Sequence, residues 1–228
     1  MRSHELVLDW VETELRAGRL ALGGRLPAER QLAEQLQVSR AGVREGLRIL
    51  EALGIVRSGV GSGPSAGTFV VAEPGPAIGA GLRLHLATGH IHTEDVVAVR
   101  LTLEQAAARE HAASADSVQR LRELLAAMDD PDLSIDEFLA LDAEFHVHLA
   151  AGSGNPLLGI LMAAIREAIS NYTRQRATEV TDWPALAARL RAEHAALVDA
   201  AEAADRELLL ERITAHITGY YEATDSRG

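Results

Sequence analysis

The chain has 228 residues, of which 47% are apolar and 24% charged, and its formal net charge is −11. This length is sufficient for two small domains with a sizeable buried core. The absence of cysteine excludes disulfides and thiolate ligands, so a transition-metal site would have to use imidazole and carboxylate groups. Because no apolar run approaches the roughly eighteen residues of a membrane span, and acids interrupt the first residues too early for a signal peptide, we expect a cytoplasmic protein with no membrane partner.

Charge is distributed unevenly along the chain. Residues 1–72 hold nine arginines and eight acids, whereas residues 73–228 hold thirteen arginines and twenty-five acids. The acidic total does not exclude a nucleic-acid partner, because only the contacting face needs a positive potential. The distribution is typical of a DNA-binding module joined to an acidic sensor domain.

The first fifty-odd residues contain three helical patterns. Apolar positions predict a helix over 4–17, and "PAERQLAEQLQ" predicts a short second helix that begins at a proline. Ser39 is a good N-cap for the third helix, "SRAGVREGLRILEALG". Its predicted inward stripe consists of Val43, Leu47, Leu50 and Leu53, and its predicted outward arginines are Arg40, Arg44 and Arg48. Two short helices with a tight break and an arginine-lined second helix indicate a helix-turn-helix, whose second helix enters the major groove.

The next segment, "IVRSGVGSGPSAGTFVVA", has two apolar runs around a tip rich in Gly, Ser and Pro. This pattern predicts a β-hairpin, which after a helix-turn-helix would form a wing. We therefore expect a winged helix-turn-helix domain over 1–72, followed by a linker over 73–78.

The rest of the chain, 79–228, reads as helical almost to its end. Loops of ordinary length separate the helices, which predicts a compact antiparallel bundle and a mainly α protein. The seven predicted helices lie near 76–88, 93–113, 115–129, 134–151, 156–176, 182–203 and 205–222.

The stretch "LDAEFHVHLA" suggests a metal site. Asp142 and His146 are one helical turn apart, about 40° apart around the axis, and could chelate one ion, whereas His148 points away. Such a pair is weak evidence alone, because Asp and His at this spacing also form a simple hydrogen bond. Two later helices present His194 and His216 among apolar residues, and a shared cation would satisfy all four buried groups. The other histidines, His111 among them, are expected on the surface or in ordinary hydrogen bonds.

The DNA-binding half resembles the GntR family of bacterial transcription regulators. The motifs that carry the resemblance are "LPAER", "VSR", "VRE" and "GTFV", in that order and spacing. The resemblance assigns DNA contacts to Arg30, Ser39, Arg40, Arg44 and Gly67, and an arginine fork suits either guanine or phosphate. The chain departs from the family at Ala41 and Gly42, where hydroxyl residues or proline are common, and in a wing about four residues longer than usual. A solvated arginine face with acidic partners is the alternative.

The helical half resembles the ligand-binding (FCD) domain of the FadR subfamily. The Asp142, His146, His194 and His216 positions match the metal ligands of many such domains, which implies a divalent transition metal, Zn²⁺ first, with Ni²⁺ or Mn²⁺ as alternatives. A metal-free polar network remains the alternative.

The same resemblance assigns effector contacts to Arg100 and Glu104 on "DVVAVRLTLEQAA", with Asn171 and Arg174 as further candidates. An arginine beside a metal would clamp a small carboxylate, although Arg100 and Glu104 could also form a purely structural ion pair.

The expected function is that of a homodimeric, non-enzymatic transcription regulator, with repression as the default. Its two winged domains would read a pseudo-palindromic operator, and a small carboxylate bound near the metal would alter that binding. Two alternatives are a metal-dependent hydrolase with a DNA-binding appendix, since such a ligand set also activates water, and a metal-ion sensor.

Overall fold

A computed structural model describes residues 2–59, 66–112 and 114–224. The chain divides into two compact units, and the division falls between Ile78 and Gly79. The first unit combines helices with a two-stranded hairpin, and the second is entirely helical where it is described, so the expected mainly α fold is confirmed. None of the helices in the described ranges has the length and apolar composition that crossing a membrane requires.

The first unit contains the three predicted helices and the predicted hairpin. They are α1 (Ser3–Arg16), α2 (Glu29–Leu36), α3 (Arg40–Ala52), β1 (Val56–Gly59) and β2 (Gly67–Val70). The strands are antiparallel, with Val56 opposite Val70 and Gly59 opposite Gly67. The tip of the predicted wing, 60–65, lies outside the described residues.

The core of this unit shows why the three helices pack together. Val7 of α1 and Val43 and Leu47 of α3 are buried in one apolar cluster, and a side chain at Gly46 would place its Cβ 2.7 Å from Val7 Cβ. The predicted inward stripe is wrong at Leu53, which is 49% exposed. Leu53 caps the C-terminus of α3, where the chain leaves the helical path before it could continue the buried face.

The predicted linker over 73–78 is helical from Pro74, because α4 runs Pro74–Ala87. A proline fits the first turn of a helix, since its missing N–H would be unpaired there in any case. Before it, Ala72 adopts a positive φ of 48° and the Glu73 amide donates to the Gly54 carbonyl at 2.7 Å. Residues 73–78 therefore consist of a turn and the start of α4, which begins two residues before the predicted helix near 76–88.

The second unit is built from the helices that follow. Their predicted bounds differ from the observed ones by at most three residues at any end, and the strong N-caps at Ser134 and Asn155 account for two of the correct starts. The helices are α5 (Thr93–Glu110), α6 (Ala115–Met128), α7 (Ile135–Ala151), α8 (Pro156–Thr178), α9 (Trp183–Glu202) and α10 (Arg206–Ala223).

An apolar core surrounds the polar residues of this unit. Phe145 from α7, Leu197 from α9 and Ile213 from α10 are fully buried in its largest cluster. These three helices also carry the four predicted metal ligands, and the core therefore fixes how the ligand side chains face one another.

Candidate metal centre and DNA-contacting face

The structure brings the four predicted metal ligands together. Asp142 and His146 project from α7, His194 from α9 and His216 from α10, and all four are buried. One ligand atom from each lies within 4.8 Å of every other. Ligand atoms around a tetrahedral Zn²⁺ ion bound at about 2.0–2.2 Å are about 3.3–3.6 Å apart, so ion binding would bring the most widely separated ligand atoms closer by roughly an ångström.

Carboxylates fix the tautomers of two of the histidines. Glu104 Oε2 lies 2.5 Å from His146 Nδ1, and Glu193 Oε2 lies 2.7 Å from His216 Nδ1. An ionised carboxylate only accepts hydrogen bonds, so each Nδ1 carries the proton and donates it. In the neutral rings, each Nε2 is then left with a lone pair.

Those two lone pairs face each other. His146 Nε2 and His216 Nε2 are 3.2 Å apart, with no proton between them when both rings are neutral. His194 Nε2 is 3.2 Å from Asp142 Oδ1, yet its orientation forms no hydrogen bond, and neither ring nitrogen of His194 has a hydrogen-bond partner among the described residues. Converging, unpaired donor atoms with carboxylate-braced imidazoles are the arrangement found around bound metals, and the residues present therefore fit a divalent cation.

Burial and charge set the protonation of the centre. Burial is the main cause that lowers the pKa of His216 to about 4, against the opposing effect of the hydrogen bond that His216 donates to Glu193. Burial likewise lowers the pKa of His194, opposed by Asp142. Neutral imidazoles are the form that binds metal, so two of the histidines are poised for an ion at neutral pH.

The carboxylates remain ionised despite their burial. Burial alone would raise the pKa of Glu104, but His146 and Arg100 outweigh it and lower the pKa to about 2. For Asp142, burial is again outweighed, here by Arg166 and His146, and its pKa lies well below the usual range. The centre therefore contains two buried pairs of an arginine cation and a carboxylate anion.

Arg166 is the main residue that sequence reasoning missed. It projects from α8, is 7% exposed, and donates a hydrogen bond to Asp142 Oδ2. Its signal in the sequence is a lone arginine in the apolar run "ILMAAIREAI". Glu193, the brace of His216, was also missed, and its position beside His194 gives no comparable signal.

Of the predicted effector residues, Arg100 and Glu104 belong to the centre. Both are 3% exposed, and Arg100 Nε donates to Glu104 Oε1 at 2.7 Å while its Nη1 lies 3.2 Å from the Tyr221 hydroxyl. This is the predicted structural pair, and through Glu104 it also braces His146. A cavity of about 10 Å³ adjoins the centre, large enough for one water at most. Its lining residues are Arg100, Asp142, Arg166, His216, Ile217 and Tyr220.

The other two effector candidates lie elsewhere. Asn171 is exposed and lies outside the lining of that small cavity. Arg174 is about half exposed, pairs with Asp136 at 3.2 Å, and lines a separate groove between α7 and α8. The buried face of α8 continues at Thr173 and Ala177, and Asn171 and Arg174 lie on the exposed side of the helix.

Two histidine expectations differ from the structure. His111 is 1% exposed rather than superficial, and within the part of the chain that the structure describes both of its ring nitrogens lack hydrogen-bond partners. Its ring packs against Gly152, where a Cβ would lie 2.9 Å from His111 Cε1. His148, as predicted, lies outside the four-residue cluster.

The predicted DNA-contacting residues lie on the first unit. Arg40 is exposed at the start of α3, and the Ser39 hydroxyl oxygen caps that helix by accepting from the Gly42 amide at 3.1 Å. Arg44 pairs with Glu29 of α2 at 2.7 Å rather than with an acid of its own helix, and Arg30 is 70% exposed in its side chain. Helix α3 thus presents Arg40 and Arg44 on the face opposite its buried stripe.

The structure gives a packing reason for two glycines in this unit. A Cβ at Gly42, one of the departures from the family pattern, would clash with Ser3 of α1. Gly67 has a φ of +134° and its Cβ would lie 2.6 Å from Arg25 Nε. At both positions the lack of a side chain lets another residue of the unit approach the backbone closely.

These features define a class of protein: a winged helix-turn-helix unit in the same chain as a helical unit with a buried centre. The family models agree, since "Bacterial regulatory proteins, gntR family" matches residues 5–69 and "FCD domain" matches residues 95–219. The chain belongs to the GntR family of bacterial transcription regulators and carries an FCD domain.

The chain is similar in sequence to known transcription regulators, and a solved structure shares its fold. It is 28% identical to the Glc operon transcriptional activator of Escherichia coli K12 over 86% of this chain and 78% of that protein. It is 27% identical to the HTH-type transcriptional regulator LutR of Bacillus subtilis over 91% of this chain and 98% of that protein. The fold resembles "Streptococcus agalactiae GntR", with a TM-score of 0.65 and 23% identity, covering 95% of this chain and 98% of that one. The matched families and relatives are transcription regulators and not enzymes, so the hydrolase alternative is set aside.

Proposed function

We propose that this regulator binds one divalent transition metal, Zn²⁺ first, at Asp142, His146, His194 and His216, and that a small carboxylate bound near it controls operator binding. The observation that carries the proposal is the pair of Nε2 atoms, of His146 and His216, that face each other at 3.2 Å while both Nδ1 atoms are tied to carboxylates. A bound cation would supply the positive charge that these lone pairs and Asp142 converge on.

The charge of the centre supports a carboxylate effector. Arg100 is balanced by Glu104 and Arg166 by Asp142, so the buried arginines and carboxylates already compensate each other. A divalent cation adds two positive charges to this balanced set, with Glu193 as the only further acid bonded to its histidines among the described residues. An anionic ligand would restore neutrality, and a carboxylate matches the planar fork of an arginine.

The first unit would bind the operator through Arg30, Ser39, Arg40, Arg44 and the backbone at Gly67. Arg40 and Arg44 lie one helical turn apart on the exposed face of α3, which suits the edge of a major groove. We propose a homodimer on a pseudo-palindromic operator, because one winged domain reads only a half-site. Repression is the simpler outcome, since it needs only occupancy of the DNA, whereas activation needs a further contact with RNA polymerase.

The experiment is elemental analysis of the purified protein before and after chelation, with DNA binding measured on both samples. DNA fragments selected from a random pool provide the operator, and glycolate, L-lactate, malonate, succinate and citrate provide the carboxylates. We expect about one metal per chain, with operator affinity that responds to a carboxylate only in the metal-loaded protein.

Two variants test whether the metal binds at the predicted residues. His146→Ala should remove the metal and lower the unfolding temperature, whereas His148→Ala, two residues further along the same helix, should retain the metal. Unchanged metal content in His146→Ala would contradict the site. A change in operator affinity on chelation alone, with no response to any carboxylate, would instead favour the metal-ion sensor.

A further inference from the structure

The cavity beside the metal ligands is too small for the carboxylate that the proposed function requires. Its volume is about 10 Å³, enough for one water, whereas a carboxylate group alone has three non-hydrogen atoms. Either a side chain of the lining moves when the ligand binds, or the ligand binds from another side. The neighbouring cavities indicate which residue of the lining could move to admit a ligand.

Arg166 lies between this cavity and a much larger one. The larger cavity is an open groove of about 520 Å³ between α7 and α8, and Arg166 is part of the lining of both. The apolar part of the groove wall lies mainly on α7, at Leu139, Ala143 and Val147. Three acids also line the groove, and each already pairs with an arginine: Asp136 with Arg174, Glu144 with Arg120 and Glu167 with Arg83. A second cavity, of about 340 Å³ against α5 and α10, shares only the uncharged Ile217 with the small cavity. Arg166, the buried arginine that an anion would seek, therefore belongs to the wall that the small cavity and the α7–α8 groove share.

The two oxygens of Asp142 have different partners. Oδ2 accepts from Arg166, whereas Oδ1 faces His194 Nε2 at 3.2 Å and His146 Nε2 at 3.6 Å. A cation held among the histidines would use Oδ1 and leave Oδ2 to the arginine. Metal binding therefore does not require Arg166 to leave, but it compensates the charge that holds Arg166 in place.

From this geometry we propose that the α7–α8 groove is the carboxylate-binding subsite and that Arg166 is the residue that captures the ligand, exchanging Asp142 Oδ2 for the incoming carboxylate. This proposal rests on the proposed function. Without a cation, the exchange would leave Asp142 as a buried carboxylate that has lost its contacting arginine, which is strongly unfavourable. With a cation on Oδ1, Asp142 remains compensated and Arg166 is free to pair with the ligand. Carboxylate capture thus depends on the metal even if the ligand never touches it.

The test uses the full-length protein, loaded with zinc or chelated, and isothermal titration with glycolate, L-lactate, malonate, succinate and citrate. Ala143→Leu and Ala140→Leu each narrow the groove without touching a metal ligand; Ala140 is exposed, so the second variant should fold even if the first does not. Ala127→Leu on the exposed surface of α6 is the matched control. Arg166→Gln removes the capturing charge and keeps a hydrogen-bonding side chain.

We expect the groove variants to keep about one zinc per chain and to bind the carboxylate at least tenfold more weakly than the wild type and Ala127→Leu. Arg166→Gln should retain zinc and lose carboxylate binding, and the chelated wild type should bind none. Wild-type affinity in both groove variants, in Arg166→Gln, or in the chelated protein would overturn the proposal while leaving the carboxylate effector standing. If zinc-loaded wild type binds no carboxylate in the panel, the effector class and this proposal fail together.

Discussion

The substitution Glu104→Gln tests whether the charge of a buried carboxylate at the candidate metal centre stabilises the folded protein. Glu104 is 3% exposed and contacts both Arg100 and His146, so the change preserves its shape but leaves Arg100 as a buried cation without a counter-charge. The pKa of Glu104 is lowered from 4.5 to about 2. At 1.36 kcal/mol for each unit, this difference corresponds to about 3 kcal/mol of stability at neutral pH, near the lower end of the range of about 3–5 kcal/mol for breaking a buried pair.

The stability that Glu104 contributes should decrease as the pH falls. Because the folded protein keeps Glu104 ionised to a lower pH than the unfolded chain does, its contribution is complete above about 4.5 and is lost as the pH falls towards about 2. We expect chelated Glu104→Gln to be about 3 kcal/mol less stable than chelated wild type in urea at pH 7, and the gap to narrow below pH 4.5. Glu110→Gln, at the exposed end of the same helix, is the control. A loss below about 1 kcal/mol, or an equal loss in the control, would refute the reasoning.

Three further predictions follow from other parts of the molecule. Because the unfolded chain protonates His216 near 6.5 and the folded apo protein only near 4, the chelated protein should lose stability as the pH falls between these values, and equal urea midpoints at pH 7 and pH 5 would contradict this. Arg40→Ala should weaken binding to the selected operator by about 1–3 kcal/mol in anisotropy titrations if it contacts a base, whereas an equal loss on all sequences with a smaller salt dependence would assign it to phosphate. Gly67→Ala should destabilise the first unit by about 1–3 kcal/mol, and more than Gly18→Ala, which also has a positive φ but has nothing within 4 Å of its Cβ.

The sequence predicted most of the helices because their starts carry local signals. Ser39, Ser134 and Asn155 are side-chain caps in the structure, and apolar periodicity marked the buried faces between them. Local composition was less informative where a tertiary contact acts. Pro and Gly indicated a linker at 73–78 and a helix from about 76, but α4 begins at Pro74, after a turn in which the Glu73 amide donates to the Gly54 carbonyl.

The buried cluster of the four predicted metal ligands was predictable because each lies on an apolar helix face where an unpaired polar group would be costly. The residues that support them were not predictable in the same way. Glu193 braces His216 across two helices, and Arg166 reaches Asp142 from α8, so their roles depend on packing angles that no local pattern encodes. Arg174 illustrates the converse, since its place on α8 was predicted but its lining of the outer groove was not.

The four predicted metal ligands and the residues that contact them come from five different helices. Regulation by a ligand requires that it bind two arrangements of the protein with different affinities. The Arg166 side chain would provide such a pair of arrangements, bonded either to Asp142 or to a carboxylate in the α7–α8 groove, with the metal biasing the choice. Among carboxylates that bind the metal-loaded protein, the effect on operator affinity should therefore increase with the ratio of their affinities for the operator-free and operator-bound protein.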